Sequence, residues 1–208
     1  QIEDEGLVFQ SMMANIPRDV LGGRAEAEKR FDALRRSFEA MSAARVDVLS
    51  AFAPARKDTP WDQLVAFYGR LMKDLEPNGV RIASHSGGVF ITYEAMNRLV
   101  RDVPSPNNGF CFCSGNVWHG EGEKIYDIPP QLAKRFFYVH MRNVKTGQGE
   151  KEYWFDEGDT DIPKLMLSLR KVGYGGYIRS EHLPTDHYGK PPESDVGTAW
   201  AQGYMRAV

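Results

Sequence analysis

The stretch NGFCFCSGN, residues 108–116, contains the two cysteines of the chain and places them two residues apart in an apolar run. A short apolar run that follows a turn such as PSPNNG is typical of a buried β-strand. Residues i and i+2 of a strand share one face, and their Cα atoms lie roughly 6.5 Å apart with parallel side chains, which suits a disulfide poorly. Cys111 and Cys113 are therefore predicted to be packed thiols or metal ligands.

Strand-like and helix-like segments alternate on both sides of this stretch. Apolar and β-branched runs predict strands at 6–14, 46–52, 80–85, 110–113, 136–141 and 177–182. Helical spacing or a capping residue predicts helices at about 25–44, 60–75, 93–102, 162–172 and 196–207. The apolar stripe of the first helix comprises Phe31, Leu34, Phe38 and Met41. Thr59 and Asp161 are the predicted N-caps of the second and fourth helices.

This alternation predicts a parallel sheet, which is either an open doubly wound layer or a closed barrel. No glycine-rich nucleotide-binding sequence follows a strand, so the usual reason to prefer the open layer is missing. We therefore predict the α/β class and a (β/α)8 TIM barrel in one domain, residues 1–208. Such barrels typically have roughly 250 residues, and this chain has 208. The barrel is expected to be incomplete or abbreviated.

Composition and charge exclude several partners. The chain has 26 basic and 28 acidic residues, a net charge of −2 at pH 7, and 42% apolar residues. No basic excess exists that would attract a nucleic acid or an anionic membrane. No apolar run approaches the roughly 18 residues of a membrane span, and the first residues do not resemble a signal peptide. A cytoplasmic location is the default expectation.

Four chemically related side chains lie at the predicted strand ends: His85, Cys113, His140 and Glu181. The active site of a (β/α)8 barrel is built at the C-terminal ends of its strands. Imidazole, thiolate and carboxylate are the groups that bind a borderline divalent metal ion. Each residue alone is more often a packed thiol, an ordinary histidine or a surface acid. Their coincidence at four strand ends predicts one shared metal site, with Cys113 as a ligand and Cys111 packed one layer deeper.

At these residues the sequence resembles the mannonate dehydratase family, metal-dependent lyases among the xylose-isomerase-like barrels. PSPNNGFCFCSGN is similar to the family's NG-x-x-x-C-[ST]-G strand, FYVHMRNV to its HLRN strand, and GYIRSEH to its RPDH strand. The resemblance implies that the metal is Mn²⁺, or else Fe²⁺ or Co²⁺. It implies the ligands His85, Cys113, His140 and, in place of an aspartate, Glu181.

The resemblance also implies roles for residues around the metal. Arg142 matches the arginine of HLRN and Arg179 that of RPDH, so both are expected to bind an anionic substrate. His182 matches a catalytic histidine, and Tyr188 is the nearby substitute for a catalytic tyrosine. The family's first strand and helix and a long insertion have no counterpart here, and the loop after His85 is abbreviated. The incomplete barrel is therefore expected to lack its first strand–helix unit and some loops.

The function implied is dehydration of a sugar acid, D-mannonate to 2-keto-3-deoxygluconate, in hexuronate catabolism. A sugar isomerase or epimerase is the alternative, because glutamate at the last strand end is usual in the wider superfamily. A non-catalytic binding barrel is a third interpretation. A structural zinc site is least favoured, since C-x-C lacks the usual two-residue spacer. The expected partner is a small sugar acid, and a homo-oligomer is possible.

Overall fold

The computed structural model describes residues 4–6, 8–21, 24–56, 58–149, 151–184 and 195–208. The strands of this part of the chain are β1 (Met12–Asn15), β2 (Val48–Phe52), β3 (Arg81–His85), β4 (Asn108–Cys113), β5 (Phe136–Met141), β6 (Asn143–Val144), β7 (Glu152–Tyr153) and β8 (Ile178–Ser180). Its α-helices are α1 (Arg24–Ala43), α2 (Trp61–Leu75), α3 (Tyr93–Asp102), α4 (Ser114–Glu121), α5 (Pro130–Ala133), α6 (Ile162–Lys171) and α7 (Asp195–Arg206).

The larger sheet contains β1, β2, β3, β4, β5 and β8 in that order, and every neighbouring pair is parallel. β6 and β7 form a separate antiparallel pair. The six-stranded sheet is curled, and among the described residues its edge strands β1 and β8 do not pair with each other. The fold is thus a partial TIM barrel, which confirms the predicted fold class and the expectation of an incomplete barrel.

The two faces of the curled sheet carry different side chains. β4 is buried at all six positions, as expected for a parallel strand with both faces covered. Phe110 and Phe112 face the helices and join the main apolar core. Cys111 alternates with them and packs on the inner face, in a small cluster with Val48, Ala83 and Tyr138. The alternation therefore directs both cysteines towards the barrel interior.

The helix predictions are correct in most positions. Phe31, Phe38 and Met41 of α1 are buried, and Leu34 packs against the core as a partly buried residue. The carboxylate of Asp161 accepts the Lys164 N–H at 2.9 Å and caps α6, as predicted.

The prediction that Thr59 caps α2 is wrong. Pro60 is the N-cap residue, with ψ of 134° and no side-chain cap, so α2 begins at Trp61. The Thr59 hydroxyl instead accepts the Arg56 N–H at 2.9 Å in the preceding turn.

The structure also differs from the sequence prediction at α4 and at the start of the first strand. The sequence pattern does not predict α4, because Ser, Gly and Asn at its start favour turns, yet the helix buries Val117 and Trp118. The first strand begins at Met12 rather than at Gly6.

None of the helices in the described ranges combines the length and apolar character needed to cross a membrane.

Candidate metal centre

Four adjacent strands bring the predicted ligands to one edge of the sheet. His85 ends β3, Cys113 ends β4, and His140 is the last residue but one of β5. Cys113 and His140 are in register across β4 and β5. Glu181 directly follows β8, and its N–H donates to the Met141 carbonyl at 2.9 Å, which extends the pairing with β5 by one residue. Because these strands are parallel, their C-terminal ends converge at the same edge.

The carboxylate of Glu181 lies at the centre of the four side chains. Its Oε1 lies 2.8 Å from His140 Nδ1 and 3.5 Å from His85 Nε2. The Cys113 thiol donates to Oε2 at 3.3 Å, and His140 Nδ1 lies 3.3 Å from His85 Nε2. Ligand atoms around one tetrahedral ion with bonds of 2.0–2.3 Å are separated by roughly 3.3–3.8 Å. Three of the four separations lie in this range, and the fourth, between Glu181 Oε1 and His140 Nδ1, is shorter. The outer group of His85, Cys113 and Glu181 is therefore compatible with a single ion.

Three of the four residues are buried, and the side chain of Glu181 is 12% exposed. His85 and His140 are each 3% exposed, and Cys113 is fully buried. Burial opposes ionisation of Glu181, but hydrogen bonds and charge interactions with His140 and His85 outweigh it and hold the pKa of Glu181 well below its usual range. Burial, followed by the Glu181 carboxylate, raises the pKa of the Cys113 thiol. A buried carboxylate beside a thiol and two imidazoles is an arrangement that a cation would stabilise.

The two predicted substrate arginines occupy different depths. Arg142 lines the cavity at the mouth of the sheet, together with Glu181. Its side chain is 8% exposed, and its Nη1 lies 3.1 Å from Glu152 Oε1. Arg179 precedes Glu181 by two residues on the same strand face, about 6.6 Å further from the strand end; it is exposed and interacts with the Tyr138 hydroxyl.

His182 reaches the cavity through an unusual backbone conformation. Regular strand alternation would place it on the face opposite Glu181, yet its φ is +48°, in the left-handed region. The side chain consequently lines the mouth cavity, with Nε2 3.6 Å from Glu181 Oε1 and 58% of its surface exposed. Left-handed φ costs a non-glycine residue about 1–2 kcal/mol. Tyr188, the other predicted catalytic residue, lies outside the described residues.

A cavity of about 620 Å³ opens above the donor cluster, which consists of His85, Cys113, His140 and Glu181. Its volume lies within the size range of small-molecule sites. Asn15 and Phe52, the last residues of β1 and β2, line it. The Phe52 ring packs on the His85 ring with centroids 4.5 Å apart. The same strand-end rule that predicts the ligands also indicates these two residues, although the sequence analysis did not name them.

Asn116 is a further site residue that sequence reasoning missed. Its side-chain amide lies 3.4 Å from His85 Nδ1. This contact engages one ring nitrogen of His85, while the other, Nε2, faces His140 and Glu181. Asn116 belongs to α4, the helix that the sequence pattern does not predict.

Comparison with known proteins shows which family the chain resembles. A family model described as a xylose isomerase-like TIM barrel matches residues 2–206. A mannonate dehydratase of Streptococcus agalactiae serotype Ia is 24% identical over 183 residues, which cover 77% of this chain and 53% of that protein. The chain thus spans about half the length of the curated relatives it matches.

Solved structures agree on the fold. The mannonate dehydratase of Streptococcus suis serotype 2 gives a TM-score of 0.78 at 17% identity and covers 99% of this chain and 77% of its own. An IolI protein with a bound zinc atom gives 0.71 at 17% identity, with 95% and 76% covered. At such identities the likeness concerns the fold alone. The family model, however, matches almost every residue, and we conclude that the chain belongs to the xylose isomerase-like TIM barrel family.

Proposed function

We propose that this chain carries the site of a metal-dependent lyase that dehydrates a sugar acid, with D-mannonate as the first candidate and its 2-keto-3-deoxy acid as the product. The observation that carries the proposal is that the donor cluster, a guanidinium and an imidazole adjoin one cavity. Glu181, Arg142 and His182 all line that cavity. The curated relatives named mannonate dehydratase support the same reaction class.

The residues present fit a divalent ion. The set of His85, Cys113, His140 and Glu181 offers two imidazoles, a thiol and an ionised carboxylate, a mixture that suits ions from Mn²⁺ to Zn²⁺. We propose Mn²⁺ as the working ion, with Fe²⁺ or Co²⁺ as substitutes. When bound, such an ion supplies Lewis-acid stabilisation for the negative charge that develops on a carboxylate and its α-carbon.

The chain's own residues would bind the substrate and move its protons. Loss of water from an aldonate requires removal of the proton α to the carboxylate and protonation of the departing β-hydroxyl. His182, exposed at the cavity mouth and 3.6 Å from Glu181, is the candidate acid or base, since imidazole exchanges protons readily near neutral pH. Arg142 is the candidate group for holding the carboxylate, because guanidinium pairs with carboxylate in a planar fork.

Isomerisation or epimerisation of a sugar is the competing reaction. The observation that favours it is Glu181 itself, which stands where the dehydratase pattern has a shorter aspartate. Both reactions begin with removal of a proton next to an oxygen-bearing carbon, so the same metal and base would serve either. They differ in the fate of the β-hydroxyl group.

Product analysis separates the two reactions. Purified protein loaded with Mn²⁺ is incubated with a panel of aldonates, uronates and ketoses, and the products are analysed by mass spectrometry and by an assay for 2-keto-3-deoxy acids. Dehydration lowers the product mass by one water, whereas isomerisation conserves it. A chelator-treated sample is the control for metal dependence. Conversion without loss of water would contradict the dehydratase proposal, as would turnover that persists after the metal is removed.

A further inference from the structure

A second group of metal-ligating atoms lies beside the predicted centre, deeper in the barrel. Cys111 Sγ, one ring nitrogen of His85 and one of His140 lie within 4.8 Å of one another, and all three residues are buried. Strand pairing produces this group, because Cys111 of β4 is in register with His85 of β3. His85 is common to this group and to the outer group that contains Cys113 and Glu181.

We propose that the inner group, His85, Cys111 and His140, is a second metal-binding position that accepts thiophilic cations such as Zn²⁺ and does not accept Mn²⁺. Thiolate and imidazole, together with carboxylate, are the ligands that Zn²⁺ takes in its protein sites. Bound ligands would be separated by roughly 3.3–3.8 Å, so the three side chains would need to approach one another by at most about 1 Å. The assignment of Mn²⁺ to the outer group rests on the proposed function, whereas the assignment of Zn²⁺ to the inner group does not.

The surroundings of Cys111 explain the exclusion of Mn²⁺. The thiol packs against Val48, Ala83 and Tyr138 and interacts with the Ser50 hydroxyl, whereas the Glu181 carboxylate belongs to the outer group. Mn²⁺ prefers oxygen ligands. The outer position offers the Glu181 carboxylate and opens to the cavity, whereas the inner position offers nitrogen and sulfur in a closed environment.

Charge near the inner position is balanced by residues already described. A dication bound to the Cys111 thiolate retains one positive charge, and the Glu181 carboxylate, 2.8 Å from His140 Nδ1, supplies the counter-charge. Arg179 also acts electrostatically on Cys111; its positive charge favours the thiolate and opposes the dication. The inner position is therefore suited to a single ion that forms strong bonds to sulfur.

The two positions exclude each other. Asn116 engages Nδ1 of His85 at 3.4 Å, which leaves Nε2 as the nitrogen that faces both groups. One nitrogen cannot bind two ions at once. Zn²⁺ in the inner position would therefore withdraw His85 from the outer position, and Zn²⁺ should inhibit Mn²⁺-supported turnover in competition with Mn²⁺.

Metal affinities of two matched serine variants test this assignment. Zn²⁺ affinity is measured by competition with a chromophoric chelator, and Mn²⁺ affinity from the electron paramagnetic resonance signal of free Mn²⁺. Cys111→Ser should weaken Zn²⁺ binding by about tenfold or more and leave Mn²⁺ binding within about twofold. Cys113→Ser, the control, should weaken Mn²⁺ binding. Zn²⁺ affinity of Cys111→Ser within about twofold of the parent would overturn the proposal.

Anomalous diffraction from Zn²⁺-loaded parent crystals provides a test that needs no variant. A zinc peak bonded to Cys111 Sγ supports the inner position, and a peak bonded to Cys113 Sγ at saturating Zn²⁺ overturns it. Neither result depends on turnover. If zinc binds at Cys111 and no sugar acid is dehydrated, the proposed function fails and the inner position stands. If dehydration occurs and zinc binds only at Cys113, the inner position fails.

Discussion

Replacing His182 should separate its role in proton transfer from the energetic cost of its backbone. Its φ of +48° costs about 1–2 kcal/mol for a residue with a Cβ. The side chain is 58% exposed, so its removal sacrifices little packing. His182→Gly relieves this strain, but glycine makes the unfolded chain more flexible, which lowers the free energy of unfolding by about 0.5–1 kcal/mol. The free energy of unfolding should therefore rise by up to about 1.5 kcal/mol, equivalent to at most about 6 °C in Tm for a chain of this size.

Turnover should change in the opposite direction. His182→Gly removes the proposed acid or base, and turnover with saturating Mn²⁺ should fall by roughly 10²-fold or more. His182→Asn should lose the same turnover with stability near that of the parent, since asparagine tolerates left-handed φ. Arg45→Gly is the matched control, because Arg45 also has positive φ, +55°, and precedes β2 at the opposite edge of the sheet. It should leave turnover unchanged.

Thermal denaturation and steady-state turnover of the three variants are the measurements. Turnover of His182→Asn within a few-fold of the parent, with metal fully loaded, would remove His182 from the mechanism. A lower Tm for His182→Gly would refute the strain argument.

Three further changes test the rest of the site. Cys113→Ala should lose Mn²⁺ while Cys111→Ala retains it, as measured by equilibrium dialysis; identical behaviour of the two variants would contradict the choice of the outer cysteine. Arg142→Lys should weaken binding of acidic sugars far more than of neutral ones, and calorimetric titrations that show equal losses would argue against an acidic substrate. Glu181 has a lowered pKa, so its ionised form stabilises the fold above its ordinary pKa of about 4.3, and this contribution is lost as the pH falls below that value. In metal-free protein, the stability difference between the parent and Glu181→Gln should therefore narrow progressively below about pH 4; a constant difference would refute the assignment.

The sequence predicts that the four proposed ligands lie close together, because two simple rules determine their positions. Alternation along a strand fixes the face of each side chain, and parallel pairing brings the strand ends together. These rules suffice to bring His85, Cys113, His140 and Glu181 to one place. They do not predict the direction of His182, because its left-handed φ breaks the alternation. The backbone change that re-aims this histidine lies at His182 itself, where φ is +48°.

The role of Cys111 depends on information that a single strand does not contain. Its distance from His85 follows from the register between β3 and β4, and register is determined by tertiary packing of both strands. Asn116 is hidden for a similar reason, since its position depends on α4, whose Ser-Gly-Asn start resembles a turn.

The strand ends that line the cavity extend beyond those that carry the proposed ligands. The four predicted ligands come from β3, β4, β5 and the end of β8, which are contiguous in the strand order. Asn15 and Phe52, by contrast, line the cavity from β1 and β2. Substitutions in these two strands can therefore change which substrate fits without removing a proposed ligand. Residues after β3, β5 and β8 also line the cavity, among them Arg142 and His182, so substitutions there can affect the proposed ion and the substrate together.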